Sequence, residues 1–107
     1  MFEIHKRINR IKIKLGYRLG FSKAIGMPKL ITLDPTNHCN LKCPLCPTGI
    51  GDTSVAYGLF KLEKYKKVVD VFSKWAQTIQ LFSWGEPILN KSFVEMVRYA
   101  SQTPHQI

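Results

Sequence analysis

Ile4, Ile8, Ile11, Leu15 and Leu19 recur in steps of three and four, while Lys6, Arg7, Arg10, Lys14 and Arg18 fall mostly between them. That spacing predicts an amphipathic helix with a basic face. Gly16, Gly20 and Gly26 weaken its second half, and Met27-Pro28 closes the segment. The favoured expectation is that the apolar stripe packs on the domain that follows and the charges face water. Peripheral contact with a membrane surface or an acidic partner is the alternative.

The pattern then changes period. Leu30-Ile31-Thr32-Leu33-Asp34 is short, β-branched and partly alternating, and Pro35 ends it, so it predicts a strand. After an irregular stretch that includes GIGDTSVAYG, the residues Leu62, Tyr65, Val68, Val69, Phe72 and Trp75 mark one side of a helix over about residues 61–76. Lysines 61, 64, 67 and 74 lie largely off that side and read as a solvated face. Thr78 to Ser83 alternates with period two, predicting a second strand that runs into Trp84-Gly85-Glu86-Pro87. A third helix is predicted from Ser92, where SFVE has capping-box spacing, with Phe93, Val97 and Ala100 buried and Thr103-Pro104 as its stop. Phe82 reads as a core residue.

Strands alternating with helices predict an α/β fold built from parallel βαβ units. Two parallel strands alone make a poor sheet, because such sheets want both faces covered and neighbours on each side. The expected organisation is therefore a leader helix over residues 1–29 and, over residues 30–107, the opening part of a larger α/β domain.

Charge sharpens this division. Residues 1–30 carry eight lysines and arginines against Glu3 alone, whereas the rest of the chain has eight bases and six acids. Most of the net charge of +9 thus belongs to the leader. No apolar run approaches a membrane span, and no signal-peptide pattern opens the chain. No stacking platform or groove-reading motif accompanies the charge, so nucleic acid is not the expected partner. An odd count of three cysteines in one short loop cannot form a paired disulfide framework, which favours the reducing cytoplasm.

Those cysteines, Cys39, Cys43 and Cys46, have the spacing C-x3-C-x2-C directly after the first predicted strand. Pro44 and Pro47 argue for an irregular loop that curls its thiols inward, and Asn37, His38 and Asn40 have side chains suited to ordering it. A structural zinc wants four protein ligands. An ordinary electron-transfer 4Fe-4S cluster wants four cysteines. Neither set is complete here: His38 adjoins Cys39 and points away from it in extended chain, and His5 and His105 lie on distant segments. Three thiolates on a 4Fe-4S cube would leave one iron open to a substrate or cofactor.

At this point the sequence resembles the radical S-adenosylmethionine (radical SAM) enzymes. DPTNHCNLKCPLCP after a first strand is similar to their cluster loop, and SWGEP after the second strand to the Gly-Glu-Pro segment that holds the methionine amino group. The flanking residues resemble most the SPASM-type branch, whose members often carry a further cluster-binding domain. The resemblance covers about residues 30–102.

It implies a partial or full (β/α) barrel, of which these would be the first two βα units. It implies Cys39, Cys43 and Cys46 as ligands of three irons of a 4Fe-4S cluster, with S-adenosylmethionine chelating the fourth. Glu86 and the Gly85 carbonyl would accept from the methionine ammonium, and Pro87 would fix the turn. Reductive cleavage to a 5'-deoxyadenosyl radical would follow, with hydrogen abstraction from a peptide, cofactor precursor or small molecule. The electron would come from a donor such as a flavodoxin or ferredoxin.

The chain departs from the family at two positions. Leu45 stands where an aromatic residue often precedes the last cysteine, offering an apolar surface near the adenine, and Trp84 replaces the first glycine of the commoner GGEP. The rival reading is a non-catalytic zinc or iron-sulfur binding module docked through its basic leader.

Overall fold

The computed structural model describes residues 1–103, apart from the side chain of Phe2. Pro104, read above as a helix stop, and His105 lie outside the described residues. The chain forms helix α1 (Phe2–Arg18), strand β1 (Leu30–Thr32), helix α2 (Leu62–Phe72), strand β2 (Thr78–Gln80), a 3-10 turn (Pro87–Leu89) and helix α3 (Phe93–Ser101). Strands and helices alternate after the leader, giving the expected α/β order.

β1 and β2 pair in parallel, with Leu30 opposite Thr78, Ile31 opposite Ile79 and Thr32 opposite Gln80. One ladder bond continues past the strands, from Leu33 N to Gln80 O at 2.8 Å. Because the strands are parallel, the segments that leave them emerge at the same end of the sheet.

Alternation along β2 turns Ile79 and Leu81 into the core, where they meet Tyr65 and Val69 of α2 and Met96 and Ala100 of α3. Tyr65, Val69, Ile79, Met96 and Ala100 are wholly buried. The Tyr65 hydroxyl, carried into this core, donates to Met96 O at 3.1 Å, which satisfies a polar group that would otherwise be costly to bury. Lysines 61, 64, 67 and 74 are exposed, as expected.

Besides strands that are shorter than read, Leu30–Thr32 and Thr78–Gln80, the structure departs from the sequence reading at three places. Phe82 is 60% exposed rather than in the core, since the period that buries Ile79 and Leu81 puts residue 82 on the outer face. The capping box does not form: Ser92 makes no side-chain cap bond. Asn90 takes over that work, its Oδ1 accepting from Ser92 N at 2.9 Å and its carbonyl from Phe93 N at 2.9 Å.

The third departure is the leader. α1 ends where Gly20, at φ 65°, lets Gly20 N reach Tyr17 O and Phe21 N reach Gly16 O. Its inward face, however, is polar: Lys6 and Asn9 are buried, while Ile4, Ile8, Ile11, Leu15 and Leu19 are all about half exposed or more. Asn9 clamps Met27 by accepting from its N–H at 2.7 Å and donating to its carbonyl at 2.8 Å. In the amide orientation that satisfies both groups, Gln77 accepts from Arg10 Nε at 3.0 Å and Nη2 at 2.7 Å. These bonds hold α1 by the side opposite to its aliphatic stripe.

Candidate functional site

The site lies where the chain leaves β1 and β2. Beyond the ladder, backbone pairing gives way to side-chain and close-approach contacts that join two segments nearly fifty residues apart. Asp34 Oδ2 accepts from Trp84 N at 2.8 Å. Four residues further along the first segment, His38 O accepts from Glu86 N at 2.8 Å. Between them, Gly85 lies so close to the Thr36–Asn37 backbone that a Cβ would stand 1.7 Å from Thr36 O. Only glycine permits that approach. The Trp84-Gly85-Glu86-Pro87 segment is thus fastened to the residues that introduce Cys39.

The cysteine loop is pinned at both ends. Asn37 donates to Ala56 O at 2.8 Å and accepts from Gly58 N at 2.7 Å. The Thr36 hydroxyl donates to Gly58 O at 2.8 Å and accepts from His38 N at 3.0 Å. Phe60 N reaches Pro35 O at 2.9 Å, so the chain returns alongside the point where it left. Asn90, also buried, donates to both Pro35 O and Phe60 O, at 2.7 and 3.1 Å, and thereby ties the start of α3 to this neck.

Within the loop, consecutive turns run from Cys43 to Asp52. Cys46 N bonds Cys43 O, Ile50 N bonds Cys46 O, Gly51 N bonds Thr48 O and Asp52 N bonds Pro47 O, all between 3.0 and 3.2 Å. Gly49 folds back onto the Cys43 backbone, where a Cβ would be 2.4 Å from its carbonyl oxygen. The predicted irregular loop is present, but it does not turn all three thiols inward, since Cys43 is exposed. Asp52 Oδ1 accepts from Ser54 N at 2.8 Å, and hydrogen bonding from Ser54, its side chain first and then this N–H, lowers the Asp52 carboxyl below its ordinary value.

The three thiols are free; Cys39 and Cys46 are half-buried and Cys43 is exposed. Cys39 Sγ accepts from Leu41 N at 3.4 Å. Among the described residues, no three cysteine, histidine or acidic side chains converge as a metal-holding group. The loop brings the cysteines into one curl without bringing their sulfurs to one point. Three thiolates repel one another until a cation lies between them, and ligand convergence commonly accompanies metal loading. The donor set, the wrapped backbone and the fastened neck fit a cluster of the expected kind.

Of the other predicted site residues, Glu86 is half-buried, and its Oε1 accepts from Ile88 N over a long 3.5 Å, leaving most of the carboxylate's accepting capacity free. Pro87 opens the 3-10 turn, where its fixed φ suits the first position. Trp84 is 54% exposed and lines a mostly apolar cleft of about 280 Å³ with Pro47, Thr48, Val55 and Tyr57. Leu45 is 97% exposed and does not line that cleft. Asp34, Asn90 and Tyr57 are site residues that sequence reasoning missed. Asp34 Oδ1 is buried without a hydrogen bond among the described residues, beside the junction of the two segments. A carboxylate closing a strand is the signal that marks it.

The chain's homologues are radical SAM enzymes, and the fold and the paired segments are consistent with a part of such an enzyme. Among them are a PqqA peptide cyclase of Rhodopseudomonas palustris, of the SPASM type, and an AdoMet-dependent heme synthase of Methanosarcina barkeri. The first is 27% identical over 81 residues, covering 76% of this chain and 21% of the relative. The second is 31% identical over 74 residues, covering 69% of this chain and 21% of the relative. The chain spans about a fifth of the length of these relatives. The crystal structure of BtrN in complex with AdoMet and 2-DOIA shares the fold at a TM-score of 0.63 and 22% identity, over 73% of this chain and 32% of that one. No family model matches the chain. The cofactors that this class implies are S-adenosylmethionine and a 4Fe-4S cluster.

Proposed function

We propose that the chain contributes the cofactor-binding opening of a radical SAM enzyme, with residues 1–29 as a leader and residues 30–107 as the first two βα units of a (β/α) barrel. Cys39, Cys43 and Cys46 would ligate three irons of a 4Fe-4S cluster and leave the fourth for S-adenosylmethionine. Held there, such a cluster would supply the electron for reductive cleavage of S-adenosylmethionine, with methionine released and a hydrogen atom then taken from substrate. Barrel enzymes generally build their sites at the C-terminal ends of parallel strands, the end from which both segments leave here.

The observation that carries this reading is the join between the segments, Glu86 N to His38 O with Gly85 seated on Thr36. It brings Gly85 and Glu86 beside Thr36 and His38, next to Cys39 in the chain, and from there the Glu86 carboxylate and the Gly85 carbonyl would accept from the methionine ammonium. Trp84, Pro47 and Tyr57 would shield the neighbouring cleft from water, with Leu45 adding apolar surface once the loop closes on its metal. Catalysis depends on such orientation and shielding around a cofactor that carries the difficult chemistry.

A peptide, cofactor precursor or small molecule is the substrate class, in keeping with relatives named as a peptide cyclase and a heme synthase. Electrons would come from a flavodoxin- or ferredoxin-like donor in a reducing cytoplasm.

Anaerobic reconstitution with iron and sulfide tests the reading. About four irons and four sulfides per chain are expected, lost on replacing any one of Cys39, Cys43 or Cys46 by alanine. One tightly held zinc per chain, with no iron taken up, would instead support the non-catalytic module.

A further inference from the structure

The leader shows its wrong side to water. A helix that packed for burial alone would turn Ile4, Ile8, Ile11, Leu15 and Leu19 inward, yet these are 61, 48, 65, 47 and 58% exposed while Lys6 and Asn9 are buried. At about 100° per residue the five aliphatics share roughly 80° of arc. Arg18, Arg7 and Lys14 border that arc on one side and Lys12 on the other, all exposed. The opposite side is committed to the protein by the Asn9 clamp on Met27 and the Arg10 pairing with Gln77.

We propose that α1 docks the protein on an anionic lipid surface, lying in the plane of the interface with its aliphatic stripe among the acyl chains and its cationic borders at the headgroups. A membrane-surface helix needs an apolar face bordered by cations and free of other duties, and α1 supplies all three. Among the described residues, no helix is long and apolar enough to cross a membrane.

Charge decides between occupants. Apposing the stripes of two copies would bring like-charged borders together, which is destabilising. A surface of acidic headgroups complements the same borders, and each lysine or arginine near it adds attraction. Nucleic acid would meet the charges and leave the aliphatics in water.

The test is cosedimentation of the full chain with large unilamellar vesicles of phosphatidylcholine containing about one-third phosphatidylglycerol. The chain is expected to pellet with these vesicles and to bind pure phosphatidylcholine vesicles about tenfold less well. Ile8→Glu with Leu15→Glu is expected to weaken binding by about tenfold or more at unchanged circular dichroism, because both side chains already face solvent. Arg7→Gln with Lys14→Gln and Arg18→Gln leaves the stripe intact and is expected to abolish the preference for anionic vesicles.

Wild-type chain remaining in the supernatant overturns the proposal, as does equal pelleting of the glutamate variant. A dimer seen by light scattering that this variant dissolves, without vesicle binding, would assign the stripe to a second copy and overturn it too.

Discussion

A side chain of any size at residue 85 would collide with the Thr36 carbonyl, which belongs to backbone and cannot swing aside. Gly85→Ala is therefore expected to cost about 1–3 kcal/mol or more and to part the two segments, seen as a fall in thermal midpoint together with loss of iron uptake. Gly49→Ala forces a similar clash inside the cysteine loop, against Cys43. It should impair iron uptake with less effect on the melt, since the loop contributes no residue to the buried core. Asn90→Ala removes the amide that serves Pro35 O, Phe60 O and Ser92 N at once and leaves buried groups unpaired. A loss of about 1–3 kcal/mol is expected by denaturant titration. The sequence marks Cys39, Cys43, Cys46 and Glu86 because their chemistry is visible in residue type and spacing. Asn90 is invisible to that reading, since its importance comes from partners that are distant in sequence.

Among the elements, α2 and α3 grip one another through groups that titrate. Burial pushes the Tyr65 phenol up to about 12, from an ordinary 10.0. The Tyr99 phenol is also raised, first by donating to Asp70 Oδ1 at 2.6 Å, then by burial and by the negative charges of Asp70 and Glu63. The folded state thus holds these protons more tightly than the unfolded chain does. The contribution of Tyr65 to stability is complete below about pH 10 and is lost as pH rises towards about 12, and that of Tyr99 is lost in the same direction. Alkaline unfolding is expected to coincide with phenolate absorbance of Tyr65. Tyr65→Phe should remove that coincidence and cost about 1 kcal/mol at neutral pH.

Element order and type were legible from period alone: α2 shows its lysines to water and β2 buries alternate residues. Strand ends were not, because at Asp34 a carboxylate replaces the backbone acceptor that would have lengthened the ladder. Nor did the moment of α1 disclose which side meets the protein, since Asn9 and Arg10 settle that through bonds to Met27 and Gln77.

At the scale of the whole molecule, parallel pairing of β1 and β2 delivers the cysteine loop and the Trp84-Gly85-Glu86-Pro87 segment to one end of the sheet, and the join at His38 and Glu86 makes them one site. On the proposed function, this site would keep one iron open and present it to S-adenosylmethionine beside Glu86. Electron paramagnetic resonance of the reduced, reconstituted protein, recorded before and after adding S-adenosylmethionine, tests it most directly. A changed cluster spectrum on addition, weakened when Glu86 is replaced by alanine, is the predicted result. A spectrum indifferent to S-adenosylmethionine would contradict the account.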